Sequence, residues 1–117
     1  MQSNMETPAT IGFSRESKAG TITPITNSYF TLDASNTILR LKDGIGILQV
    51  SLDVVSTGIG WIDIGTMSVD SISIVQTRGI GSNDKSCSVR VSGNKIQASG
   101  GTAGTQYLRT IIPFFTE

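Results

Sequence analysis

The sequence predicts an all-β fold, an antiparallel β-sandwich or small barrel of eight or nine short strands, and three observations carry that prediction. From Ile11 onward, wherever apolar residues recur regularly, they recur at a period of two. Thr, Val and Ile dominate those stretches, as a pleated, half-buried surface favours. Turn signals built on glycine or asparagine interrupt them roughly every ten residues, the spacing of sandwiches and barrels. Antiparallel sheets settle their edges by packing face to face or by closing, and a jelly-roll-like topology is one way of arranging such strands. No segment carries a convincing helical period.

Taken in order, residues 1–10 are polar and aperiodic and hold Pro8, which predicts a flexible lead-in ahead of a single domain over 11–117. Residues 21–26 and 29–33 read as two short strands around Asn27-Ser28, with Pro24 marking an edge or bulge because it has no N–H to give to a ladder. Residues 37–42 lead into Asp43-Gly44, the strongest hairpin signal in the chain, and then into a strand over 45–55. On that strand Leu48, Val50, Leu52 and Val54 share one face, predicted to cover the core, while Gln49, Ser51 and Asp53 share a wet one.

After a turn at Thr57-Gly58, residues 60–65 alternate Trp61 and Asp63 with Ile62 and Ile64, and either set could face inward. Strands are predicted over 69–75, 86–92 and 95–99, with a polar loop over 79–85 and a turn at Gly93-Asn94. The glycine-rich stretch 100–104 reads as a flexible tip, and 105–115 as the closing strand, whose apolar run Ile111-Ile112-Pro113-Phe114-Phe115 would tie down the C-terminus if buried. One domain is what 117 residues and a 38% hydrophobic composition can support.

Composition then narrows function. There is no histidine and a single cysteine, Cys87. Ser-His-Asp triads, Cys-His dyads and His/Cys zinc sites are thereby excluded, and an all-β binding or assembly module is favoured over an enzyme. Nine acidic against nine basic residues create no field to gather nucleic acid or anionic lipid. No segment reads as a P-loop, and no basic stretch followed by an apolar run or long apolar span suggests a signal peptide or membrane insertion. Cys87 shares its face with Val89 and Val91 and reads as buried, in keeping with synthesis in a reducing cytoplasm. No cofactor is implied.

The residues that could carry chemistry are few. Asp53 and Asp63 are the one mid-chain strand pair that could resemble the two acids of a glycosidase, although solvated positions explain both. Asn83-Asp84 could lend oxygens to a calcium ion, but the EF-hand spacing is missing, and a turn closed by Asx side chains accounts for them. No metal site follows. Trp61 offers a platform for a pyranose ring, weighed against burial as the favoured role, and Tyr29, Tyr107 and Arg109 are further recognition candidates. Loops 79–85 and 100–105 could shape a shallow site between subunits. The candidate ligand-binding set is Trp61, Tyr107, Arg109, Asn83 and Asp84.

At Gly60-Trp61-Ile62-Asp63-Ile64-Gly65-Thr66 the chain resembles the β-rich head region of tail and baseplate receptor-binding proteins from phages of Gram-positive bacteria. In that family a W-x-x-I-G-T segment follows a hairpin, and a loop, a strand with a Gly-Asn turn and an aromatic-tipped closing strand come after it. Residues 37–115 present these parts in the same order, although Met67-Ser68-Val69 lacks the family's proline and the N-terminal anchor and neck are missing. The resemblance implies a homotrimeric head on a virion tail, made in the host cytoplasm, contacting other tail or baseplate proteins and binding host cell-wall saccharide. The alternative is a structural tail or capsid accessory protein without a ligand of its own.

Overall fold

The structure, a computed structural model, describes residues 17–116, so the lead-in expected over 1–10 and the domain start at Ile11 lie outside the described residues. Ten strands follow: β1 Lys18–Ala19, β2 Ile22–Pro24, β3 Phe30–Leu32, β4 Ile38–Lys42, β5 Ile45–Val54, β6 Gly58–Met67, β7 Val75–Ile80, β8 Ser86–Ser92, β9 Lys95–Gly100 and β10 Leu108–Phe115. Short 3-10 turns occupy Ala34–Asn36 and Ser82–Asp84. All pairings are antiparallel, and the all-β class is as the sequence predicts.

The strands form one curled sheet in the order β1-β4-β5-β10-β7-β8-β9-β6-β2, with β3 on β5 beyond the end of β4. The pairs nest, β5 with β10, β6 with β9 and β7 with β8, as when a long antiparallel ribbon is wound around a barrel. That is a jelly-roll-like wrapping. Its seam is closed by residues 18–24. Lys18 and Ala19 pair with β4 at one end of the order, whereas Ile22 and Pro24 pair with β6 at the other. The Gly20 N–H bonds the Leu39 carbonyl at 2.8 Å, and Thr21 and Ser68 exchange two bonds of 2.9 and 3.0 Å. A Cβ on Gly20 would lie 2.4 Å from the Leu39 side chain, so the crossing segment needs glycine there. Pro24 stands on the outermost strand, where its missing donor costs nothing.

Asp43 and Gly44 both take positive φ, 50° and 79°, as a two-residue type I′ turn requires, and the hairpin β4–β5 forms as the sequence predicts. Leu48, Val50, Leu52 and Val54 of β5 face inward and meet Ile64, Val89, Val91, Ile96, Leu108 and Ile112, all at 2% exposure or less. Each such side chain contributes roughly 1.5–3 kcal/mol by leaving water. Cys87 is buried among them.

Several local expectations change. Of the strand expected over 69–75 only Val75 belongs to one: residues 69–74 carry the chain from β6 to β7 past the β8–β9 turn and the end of β10, with a single isolated bridge between Ser71 and Thr116. Met67 and Ser71 donate to the Asn94 and Gly93 carbonyls, and Ile72 donates to Phe115. Ile72 and Ile74 are exposed there. The strand β7 starts at Val75 and runs through Gly79, where a Cβ would meet Leu108 at 2.3 Å, so the loop shrinks to 81–85.

The stretch 100–104 is pinned. Gly104 N–H and Thr105 carbonyl bond both backbone groups of Val54, and Thr57 Oγ1 donates to Gly101. The closing run is only half buried, because β10 obeys the strand period: Ile112 and Phe114 point inward, leaving Ile111, Pro113 and Phe115 exposed. Ser51 breaks the wet face of β5. The turn over 33–37 covers it, and Thr37 Oγ1 accepts its N–H at 3.2 Å while donating to the Asp33 carbonyl at 2.8 Å.

Candidate functional site: an outer-face groove

The turn that covers Ser51 also builds one wall of a groove on the outer face of β4, β5 and β10. The strand register sets its floor, with Ile38 opposite Gln49 and Gln49 opposite Ile111. Arg109, opposite Ser51, forms the far wall, facing Asn36 at the end of the 3-10 turn. The groove has a volume of about 600 Å³, within the range of small-ligand sites. Its side chains are two carboxamides, one guanidinium and two exposed isoleucines.

Asn36 is fixed from behind. Its Nδ2 donates to Asp33 Oδ2 at 2.8 Å, and Ser35 Oγ donates to Asp33 Oδ1 at 2.8 Å. These side-chain bonds, that of Asn36 first, hold the Asp33 carboxyl below its ordinary pKa. The amide carbonyl of Asn36 is thereby left as the acceptor available to a ligand.

Two residues before Arg109, Tyr107 is 66% exposed and sits at φ 56°, a region that bulky residues avoid. Asp53 Oδ1 accepts its N–H at 3.0 Å. Loops 81–85 and 100–107 meet beside it, through Ser82 N–H to Gln106 carbonyl at 2.9 Å and Gln106 N–H to Ser82 Oγ at 3.0 Å. Asn83 and Asp84 are exposed in this loop cluster at φ 57° and 59°. The turn is closed by the main chain and Ser82, not by their side chains as the sequence reading had it. Tyr29 stands on a separate Asx turn, where Asn27 Oδ1 accepts the Tyr29 and Phe30 N–H groups.

Trp61 lies elsewhere, on the outer face of β6. It is half-buried, and the Arg90 guanidinium carbon of β8 sits 4.2 Å from its ring centroid. Arg90 Nε donates to Gln97 Oε1 at 2.7 Å, and Gln97 Nε2 donates to Asp63 Oδ1 at 2.8 Å. A chain of polar contacts thus crosses β6, β9 and β8.

Of the predicted residues, then, Arg109 lines the groove, Tyr107 stands two residues before it outside the lining, Asn83 and Asp84 sit in the loop bonded to Gln106, and Trp61 belongs to a different cluster. Asp53 and Asp63 are each engaged by a different neighbour, on strands that are not paired. No group of three or more potential metal-ligating side chains occurs among the described residues. Cys87 is buried, and burial pushes its thiol up to about 11 against a smaller opposing pull from Arg78. Sequence reasoning missed Asn36, Ile38, Gln49, Ile111, Arg90 and Gln97, because only strand register brings them together. Comparison with known proteins yields no matching family, no matching curated protein and no matching solved structure.

Proposed function

We propose that this domain is a saccharide-binding adhesion module and that the groove between Asn36 and Arg109 is its site. The observation that carries the reading is the pairing of planar polar groups with an apolar floor. Asn36, Gln49 and Arg109 offer acceptors and donors to ring hydroxyls, while Ile38 and Ile111 lie against C–H faces. Tyr107, two residues before Arg109 in the chain, adds an exposed aromatic side chain. The module binds and does not catalyse. The resemblance of residues 60–66 to phage tail heads supports a virion setting, with other tail or baseplate proteins as partners. Homotrimerisation on a tail would multiply a weak single-site affinity.

The test is binding of the purified protein to host cell-wall polysaccharide and to an array of neutral glycans. Saturable binding that falls at least tenfold in Gln49→Ala and Arg109→Ala is expected. Binding that survives both substitutions, or no binding to any surface, overturns the assignment. The second outcome favours a structural tail or capsid role, which has its own observation: Ile72, Ile80, Ile111 and Phe115 are each more than half exposed, as at protein contacts. Light scattering coupled to gel filtration separates a trimer from a monomer of this 12.4 kDa chain.

A further inference from the structure

We propose that Arg90 is the receptor of a second binding site, one for an oxyanion, phosphate or carboxylate, on the outer face of β6, β9 and β8. The site is separate from the groove, with β7 between them in the sheet order, and does not depend on it. Three features point to it. Arg90 is held at two points, stacked at 4.2 Å over Trp61 and bonded through Nε to Gln97 at 2.7 Å. A guanidinium so fixed has little rotamer freedom left to lose on binding, and its two terminal amino groups still form a fork that matches two oxygens of an anion.

Among the described residues no carboxylate reaches ion-pair distance of Arg90. Asp63, the acid of the cluster, is turned to the other end of Gln97. Its acceptor oxygen requires the Gln97 amide nitrogen, and so orients the Gln97 carbonyl toward Arg90. Asp63 and Gln97 are therefore positioning residues, which hold the cation without neutralising it through contact.

Finally, the surroundings suit an anion. Gln76 pairs in register with Arg90, Arg78 pairs with Ser88 one outward position along, and both Gln76 and Arg78 are exposed. Both stand on β7, on the other side of β8 from Gln97 and Trp61, so they add a cation and a neutral donor to the same face without touching the fork. The balanced net charge of the chain supplies no long-range field, so binding here depends on Arg90 itself.

The experiment titrates 15N-labelled protein with glycerol 3-phosphate and, separately, with glucuronate, using glycerol and glucose at matched ionic strength as controls. It reads the Arg90 Nε–Hε and Trp61 indole N–H resonances, the latter unambiguous because the chain has one tryptophan. Saturable shifts with one or both anions, and none with the neutral compounds, are expected. A response to one anion alone identifies the source as a phosphate-bearing or a carboxylate-bearing ligand. Arg90→Lys, which keeps the charge but loses the fork and the stack, should weaken binding at least fivefold. Gln97→Glu should abolish it, because an internal carboxylate then occupies Arg90. Absence of a saturable shift with either anion, or equal binding by Arg90→Gln, overturns the proposal. Neither result bears on the neutral-glycan groove, whose test uses Gln49 and Arg109.

Discussion

Asp53 Oδ1 accepts the backbone N–H of Tyr107 at 3.0 Å, and Tyr107 is held at φ 56°. Left-handed backbone costs a bulky residue about 1–2 kcal/mol, so a compensating contact is required. Asp53→Ala should lower stability by about 1 kcal/mol, since the bond is charge-assisted but exposed. In an Asp53→Ala background, Tyr107→Gly should restore part of the loss by removing the strain. Thermal unfolding of the parent and the two variants measures this, and an Asp53→Ala protein as stable as the parent would show that the carboxylate does not hold the loop.

Gly46 faces Phe114 across β5 and β10, with a built Cβ 2.4 Å from the ring. Gly46→Ala must displace a buried aromatic side chain in a close-packed core, a change that costs about 1–3 kcal/mol. Denaturant unfolding should show a lower midpoint with an unchanged slope. Gly44→Asn is the control: no atom lies within 4 Å of its Cβ, and asparagine tolerates the positive φ, so the loss should stay below about 0.5 kcal/mol.

The Cys87 thiol, raised to about 11 by burial, should be inert to thiol reagents in the native protein at pH 8 and react at once in denaturant. The linkage follows. Below about 9 the thiol is neutral in both states and its contribution is fully present. Between about 9 and about 11 the unfolded chain ionises while the native one does not, so stability falls as pH rises. Cys87→Ala should remove that component of the alkaline decline.

Asp33 has the opposite sign. Bonds from Asn36 and Ser35 lower its pKa, so their stabilisation is present above the ordinary aspartate range and is lost as pH falls through the lowered value. Asp33→Asn should remove that component of the acid dependence. It should also loosen Asn36 and weaken any groove ligand without changing the pH 7 fold, as a 15N–1H spectrum would show.

The strands most legible in the chain were those whose turns and alternation agree locally: β4–β5 around Asp43-Gly44, and β8–β9 around Gly93-Asn94. Residues 69–75 misled because Ser71 and Ser73 alternate with Ile72 and Ile74 as in a strand, while the chain there has to cross a hairpin end. Ser51 reads as solvated, yet a turn fifteen residues or so upstream covers it, and nothing in its own neighbourhood signals that. Tyr107 and Arg109 were visible as exposed recognition types on the final strand. Asn36 and Gln49 were not, since neither belongs to a motif.

Class, period and inward face were local properties of this chain. The alternation of Leu48, Val50, Leu52 and Val54 allows one face to leave water whatever the sheet order, and the absence of histidine rules out its chemistry in any fold. Sites are another matter. Asn36 and Arg109 come to line one groove, and Arg90 meets Trp61, only after strands distant in sequence have paired in one register, and a slip of one residue would turn Arg109 or Arg90 to the opposite face. The seam at Gly20 is of the same kind: a glycine is needed there because β1 leaves β4 and β2 reaches β6 within a few residues, over Leu39. Register and closure arise from the cooperative burial of the whole core, which no single segment encodes.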